Sequence, residues 1–449
     1  MMMRKILKGL GTGAAVLMAG FAIANAQPAT GDLRQSIAQD YAYLGPLYEH
    51  FHQNPELSFM EVETAKRMAD EFRALGFKVT EKVGKTGVVG VMKNGKGPTV
   101  MLRADMDGLP VKEATGLSYA STAVGLNRFG EEQPIMHACG HDVHMTALIG
   151  SLRQLTARKD QWSGTLVVIA QPAEELGLGA KAMLDDGLFR KFPRPDYNIA
   201  LHDSASLPAG KVAYSPGWAL ANVDSVDIYI KGIGGHGAYP QTAKDPIVLG
   251  AQIVNALQTL VSREVSPLES AVVTVGAFNA GYKHNIISDE AHLQLTVRSY
   301  SDDVRETLLE GIKRIAKAQA ISAGLPEELH PVIEFEEDYT PSTYNDPDLA
   351  NRVAASLRVA LGDENVLEVD PVMGGEDFSR YGREEPKIPS LIFWVGAVDP
   401  AKVEAANNGG EPLPSLHSPF FAPVPEPTIK TGVEAMTTAA LALFGNNQD

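Results

Sequence analysis

From residue 33 onward the apolar positions recur in two rhythms, and the alternation between them sketches a fold. Helical spacing over 33–51 and 61–75, the latter closing at Gly76, precedes runs of strand character at 87–92 and 99–104. A helix is predicted at 145–155, a buried strand at 165–170, a short helix at 180–186 and a strand at 197–201. Strand and helix in turn predict an α/β unit around a mostly parallel sheet. After Ser215-Pro216-Gly217 the rhythm changes to strand 223–231, helix 246–262, strands 271–278 and 291–298, helix 304–320 and strand 332–336. That β-α-β-β-α-β order is a split βαβ, or ferredoxin-like, arrangement. Residues 219–338 are therefore expected to form a smaller α+β domain inserted into a larger one made of 27–218 and 339–449. The chain returns through a helix at 348–361 and strands at 366–369 and 390–396, and the Gly-, Asn- and Pro-rich segment 399–414 is expected to be a surface loop.

The beginning of the chain follows neither rhythm. Arg4, Lys5 and Lys8 precede an apolar run of small residues from Gly9 to Ala24, and Ala24-Asn25-Ala26 reads as a cleavage site. Residues 1–26 are expected to be a cleavable signal peptide, with the mature protein periplasmic or secreted. The remainder exceeds the ~250–300 residues at which one core stops growing, so two domains are expected. The formal charge of −16 argues against nucleic acid or an anionic membrane surface as partner. The same charge disfavours long-range steering of acidic substrates, so a substrate carboxylate must be met by a local cation.

The chemistry is concentrated in His137-Ala138-Cys139-Gly140-His141-Asp142-Val143-His144, which holds the single cysteine of the chain. One cysteine cannot form an internal disulfide, which leaves a buried thiol, a nucleophile or a metal ligand. A thiolate, imidazoles and carboxylates within a few positions suit Zn²⁺ and related divalent ions. Asp105 and Asp107 follow the strand at 99–104, Gln171-Pro172-Ala173-Glu174-Glu175 follows 165–170, and His202 is expected to end the strand at 197–201. In open sheets with parallel strands, ligands gather beyond such carboxyl ends. Adjacent glutamates on an irregular segment diverge, so one can bind metal while the other moves a proton. With His417 in Leu416-His417-Ser418-Pro419, five ligands are available (Cys139, His141, Glu175, His202 and His417). A mononuclear site needs three, and the surplus favours two metals.

These segments resemble the aminoacylase and carboxypeptidase family of two-metal hydrolases, in the branch of hippurate hydrolases, auxin-conjugate hydrolases and N-acetyl-diaminopimelate deacetylases. The resemblance is carried by His52 to Ser58, Leu102 to Pro110, His137 to His144, Gln171 to Glu175, Gly234 to Pro240, Gly374 to Phe378 and Leu416 to Pro419. It implies two divalent ions per subunit (Zn, Mn, Co or Ni) on Cys139, His141, Glu175, His202 and His417, with Glu174 as general base. It further implies that Asp107 orients a metal ligand and that the inserted domain is a lid that also mediates homodimers. From the lid, His236 would stabilise the oxyanion, while Asn285 and Arg298 would clamp the substrate carboxylate. The implied substrate is a small N-acyl amino acid or short peptide, cleaved at an amide bond. A closing periplasmic binding protein without catalysis is the alternative, although it has no need of five ligands beside an aligned carboxylate. The chain departs from the family pattern at Asp203-Ser204-Ala205-Ser206, at Leu207-Pro208-Ala209-Gly210 and at Asn285-Ile286-Ile287-Ser288. Roles for His52, His144 and Glu376 are left open by both arguments.

Overall fold

Four runs, Thr99–Asp105, Gly164–Gln171, Tyr197–Pro208 and Ser390–Val398, bury most of their side chains on both faces, as central strands of a covered sheet must. They pair in parallel at the middle of an eight-stranded sheet in a computed structural model that describes residues 30–444. The expected signal peptide lies outside the described residues. One end of the sheet is an antiparallel hairpin, Lys78–Val83 with Gly87–Asn94; the other carries the short strands Val212–Tyr214 and Val366–Glu368. Helices Thr30–Gln53, Val62–Ala74, His141–Ala157, Pro347–Leu361 and Pro425–Leu443 share a core with one face of the sheet. Alternate strand residues, Met101, Val167, Ile169 and Ile392 among them, face the second layer of short helices that holds Met183, Leu188 and Tyr381. The α/β class with a mostly parallel sheet is thus as expected.

Four details differ from the sequence reading, each for a physical reason. The strand Lys78–Val83 is an exposed, polar edge and offers no apolar alternation to detect. The helix Pro425–Leu443 is nearly all buried, so its Ala- and Thr-rich surface shows no polar stripe. Within the expected loop 399–414 lies the helix Pro400–Asn407, started by the Asp399 carboxylate accepting from the Ala401 N–H and by proline at the first helical position. The strand Tyr197–Pro208 runs past His202 instead of ending there.

The strands Asp224–Lys231, Ala271–Ala280, Glu290–Ser299 and Val332–Phe335 form a separate antiparallel sheet, whose spatial order places Glu290–Ser299 and Asp224–Lys231 at the centre. Helices Pro246–Thr259 and Asp302–Ser322, capped by Asp245 and Ser301, cover one face and supply a second core with Ile228, Leu293, Ile253 and Ile312. The other face is open and polar: Ser225 lies opposite Thr296, and Asp227 opposite both Gln294 and Glu334. Arg298 continues this row by strand alternation. Where the chain crosses between the two units, Val223 and Thr340 exchange backbone hydrogen bonds of 2.8 and 3.1 Å. Among the described residues no helix is long and apolar enough to cross a membrane.

Candidate metal centre and active site

The carboxyl ends of two central strands, at Asp105 and Gln171, and the middle of a third, at His202, deliver the chemistry to one place. Gln171 ends its strand, and Ala173 then adopts a positive φ of 49° that turns Glu174 and Glu175 back over the sheet edge. A non-glycine residue holds that angle only when its surroundings over-determine it. Here the buried Glu61 carboxylate accepts the Ala173 N–H at 2.8 Å, and Asp107 accepts the N–H groups of Glu174 and Glu175, each at 3.1 Å. Ser58 donates to the same Asp107 carboxylate at 2.6 Å. Cys139 and His141 flank Gly140, which starts the helix His141–Ala157 at φ +77°; a Cβ there would lie 2.5 Å from the Asp203 carboxylate. Only glycine fits both requirements. His417 also has a positive φ, 65°, and its backbone N–H is anchored on the Ala138 carbonyl at 2.8 Å.

The donor atoms converge around Cys139, whose sulfur is within hydrogen-bond reach of two imidazoles. His417 Nε2 lies 3.3 Å from Cys139 Sγ and 3.5 Å from Glu175 Oε2, and His202 Nε2 lies 3.6 Å from the same sulfur. His141 Nε2 is 3.8 Å from Glu175 Oε1 and 3.9 Å from Glu174 Oε2. Both His141 Nε2 and Glu175 Oε1 are buried with no hydrogen-bond partner. Ligands about 2.0–2.3 Å from a tetrahedral ion sit roughly 3.3–3.7 Å from each other, so these separations fit a shared cation. The sets Cys139–His141–His202, Cys139–Glu175–His417 and His141–Glu174–Glu175 overlap pairwise, through Cys139, His141 and Glu175, each of which belongs to two of them.

Electrostatics point the same way. Burial, and then the Glu376 and Glu175 carboxylates, push Glu174 well above the usual carboxylate range. Burial raises Glu175 to about 8 despite the neighbouring His141, and burial plus Glu175 raise the Cys139 thiol. Burial alone would depress His141, but Asp105 and the hydrogen bond to Asp107 outweigh it and raise it well above the usual imidazole range. Buried acids raised in this way would be relieved by a cation bound beside His141. The His141 Nδ1–H donates to the Asp107 carbonyl at 2.8 Å, which orients Nε2 toward the cluster. His202 is fixed in the same manner by its Nδ1–H on the Asp203 carbonyl, at 2.7 Å. A ligand histidine held through its other nitrogen is the usual arrangement.

Beneath this layer lies a buried network whose parts the motifs contain but whose connections they do not show. Arg103 bonds Asp105 at 2.6 Å, Glu376 at 2.8 Å and Gln171 at 3.0 Å. Asp377 caps the network by accepting from Gln171 at 2.6 Å and from the Ala180 N–H at 2.9 Å. His144 spans Asp105 (2.6 Å) and Asp203 (3.0 Å), and these carboxylates overcome its burial and raise it to about 9. His52 is gripped between Asp142 (2.6 Å) and Glu113 (3.1 Å), tying the helix Thr30–Gln53 to the start of His141–Ala157. The roles of His52, His144 and Glu376 left open by the sequence are thus bracing ones. Glu61, Arg103 and Asp203 were not singled out as site residues. Their only sequence signal was a charged residue inside an otherwise apolar or motif-bearing run.

A cavity of about 630 Å³ opens over the cluster, lined by Cys139, Glu174, Glu175, His202 and His417 from the large unit and by Ser225, Arg298 and Glu336 from the small one. Arg298 donates to the Met373 carbonyl at 2.9 Å and to Thr296 at 3.3 Å, and forms no ion pair among the described residues. His236 and Asn285 are not brought to this cavity. Both are exposed and line a separate depression on the small unit, where the Gly237 N–H donates to the Asn285 carbonyl at 2.9 Å.

The model for the peptidase family M20/M25/M40 matches residues 101–441. The chain is 35% identical over 420 residues to thermostable carboxypeptidase 2 of Saccharolobus solfataricus, covering 93% of this chain and 98% of that protein. It is 39% identical over 332 residues to the hippurate hydrolase of Campylobacter jejuni, covering 74% of this chain and 82% of that one. The crystal structure of a dinuclear metal-binding M20 peptidase from Bacillus subtilis superposes with a TM-score of 0.71 at 28% identity, covering 91% of this chain and 99% of that chain. The chain belongs to peptidase family M20/M25/M40 and is a hydrolase of amide bonds.

Proposed function

We propose that this protein hydrolyses the amide bond of N-acyl amino acids or short peptides with a free carboxylate. The observation that carries the reading is the convergence of five metal-type donor groups and a second glutamate on a cavity whose wall also presents the Arg298 guanidinium, which forms no ion pair among the described residues. Cys139, His141, Glu175, His202 and His417 would hold two divalent ions. When bound, the ions would polarise the amide carbonyl and make a water acidic enough to attack it. Zinc, manganese, cobalt and nickel all suit a mixed N/O/S donor set.

The chain's own groups do the rest. Glu174 faces the cluster without being needed to complete it, so its carboxylate takes the proton of the attacking water and returns it to the leaving amine. Asp107 holds Glu174 and Glu175 at a fixed divergence through their two N–H groups. Arg298 takes the substrate carboxylate, whose charge its planar fork matches. The resemblance to the family supports a lid role for residues 219–338 and homodimerisation through it. Closure of the lid would carry His236 to the oxyanion and Asn285 to the carboxylate. The basic and apolar start of the chain supports export to the periplasm or medium.

The test is hydrolysis of a panel of N-acyl amino acids by the mature protein as isolated, after chelation, and after return of Zn²⁺, Mn²⁺ or Co²⁺. Glu174→Gln is expected to lower kcat by about 10²–10⁴ while metal content stays at the wild-type level. Near-normal turnover by Glu174→Gln, or turnover that survives complete chelation, contradicts the assignment.

A further inference from the structure

His202 is followed by Asp203-Ser204-Ala205-Ser206, a segment that departs from the family pattern, and the departure places a carboxylate at the back of the cluster. Asp203 is wholly buried. Its Oδ1 lies 3.0 Å from His144 Nε2 and 3.4 Å from His202 Nδ1, while Oδ2 is buried with no hydrogen-bond partner. The carboxylate also fills the space that a side chain at Gly140 would need, 2.5 Å from where a Cβ would stand. Asp203 therefore touches the Cys139-Gly140-His141 turn on one side and the His202 ring on the other. His144 connects it to Asp105, whose Oδ2 is 3.6 Å from His141 Nε2.

A buried carboxylate with a vacant oxygen is costly unless something compensates it. His144 is shared with Asp105, and its Nε2 also meets the Asp203 backbone N–H at 2.9 Å, so residue 203 is fixed at both its backbone and its carboxylate while Oδ2 stays unsatisfied behind the donor atoms. We infer that Asp203 is a positioning residue that locks the Cys139-Gly140-His141 turn against His202 and so tightens divalent-ion binding at the ion shared by these three ligands. The inference rests on the metal centre proposed above. It adds that the ligands of that ion are held by an acid outside the ligand set, and that this acid stabilises the loaded protein at the expense of the empty one.

The experiment titrates chelated protein with Co²⁺, following the thiolate-to-cobalt absorption that reports Cys139, and measures Zn²⁺ affinity by competition with a chromophoric chelator. Wild type, Asp203→Asn and Asp203→Ser are compared, together with the melting temperature of each in the metal-free state. Both variants are expected to weaken the cysteine-linked ion by about 10–100-fold, the size usual for an outer partner of a ligand. Asp203→Asn is also expected to melt, metal-free, at or above the wild-type temperature, because a buried carboxylate with an unsatisfied oxygen has been removed. At saturating metal its KM should be unchanged, with any residual loss confined to kcat. Wild-type affinity in Asp203→Asn, or metal-free unfolding of both variants under conditions where wild type is folded, overturns the inference and leaves the metal centre standing. Absence of any cobalt–thiolate absorption in the wild type overturns the metal centre and the inference together.

Discussion

Replacing Arg298 with alanine isolates the substrate-carboxylate interaction from the rest of the site. The guanidinium is half-buried, spends one donor on the Met373 carbonyl and a long one on Thr296, and lines the cavity without forming an ion pair among the described residues. Burial without an anion also lowers its pKa, as expected of a cation that awaits a partner. Two charge-assisted hydrogen bonds to a carboxylate would contribute about 1.5–3 kcal/mol each in isolation, and solvent at a half-exposed site reduces this. A combined loss of about 2–3 kcal/mol corresponds to roughly a 30- to 150-fold fall in kcat/KM. The assay compares kcat/KM for an N-acyl amino acid and for its carboxamide, in wild type, Arg298→Ala and Arg298→Lys. The carboxylate substrate should lose the full factor in Arg298→Ala and part of it in Arg298→Lys, whereas the carboxamide should change little. Equal losses on both substrates would show that Arg298 supports the cavity wall instead of reading the carboxylate.

Three further outcomes follow from the same structure. Gly140→Ala forces a Cβ into the Asp203 carboxylate at a positive φ, and should cost about 2–4 kcal/mol in urea unfolding; an unchanged midpoint would mean the turn has another way to accommodate a side chain. Arg103→Met leaves Asp105, Glu376 and Asp377 without their shared cation, and should destabilise by about 3–5 kcal/mol, again read from denaturant unfolding. His52 is raised from 6.5 to about 10, the Asp142 and Glu113 carboxylates overcoming its burial. A pKa raised on folding stabilises fully below the unfolded value and is lost as pH rises through the folded one. Wild type should therefore lose stability between about pH 7 and 10 relative to His52→Gln, and parallel pH–Tm curves would contradict that.

The division of labour between sequence and fold is visible residue by residue. Sequence periodicity showed the parallel strands because burial on both faces leaves a continuous apolar run, and it showed the α+β insertion because its strands alternate. The same method had nothing to detect at Pro425–Leu443, where burial all round removes the polar stripe, or at Lys78–Val83, an exposed polar edge. The metal-type donors Cys139, His141, Glu175, His202 and His417 were legible because their chemistry is dense and rare. What joins them was not. Arg103 to Glu376 spans 273 positions, and His52 to Asp142 spans 90. No local rule says that Asp203 will stand against Gly140, or that Arg298 will face Glu174 across a cavity while His236 and Asn285 lie apart from it. Side-chain type and local rhythm are properties of short stretches of chain, so the sequence determined which groups were available and on which elements. Hydrogen bonds, charge pairing and desolvation act between elements far apart in the chain, so only the packed structure decided which groups meet.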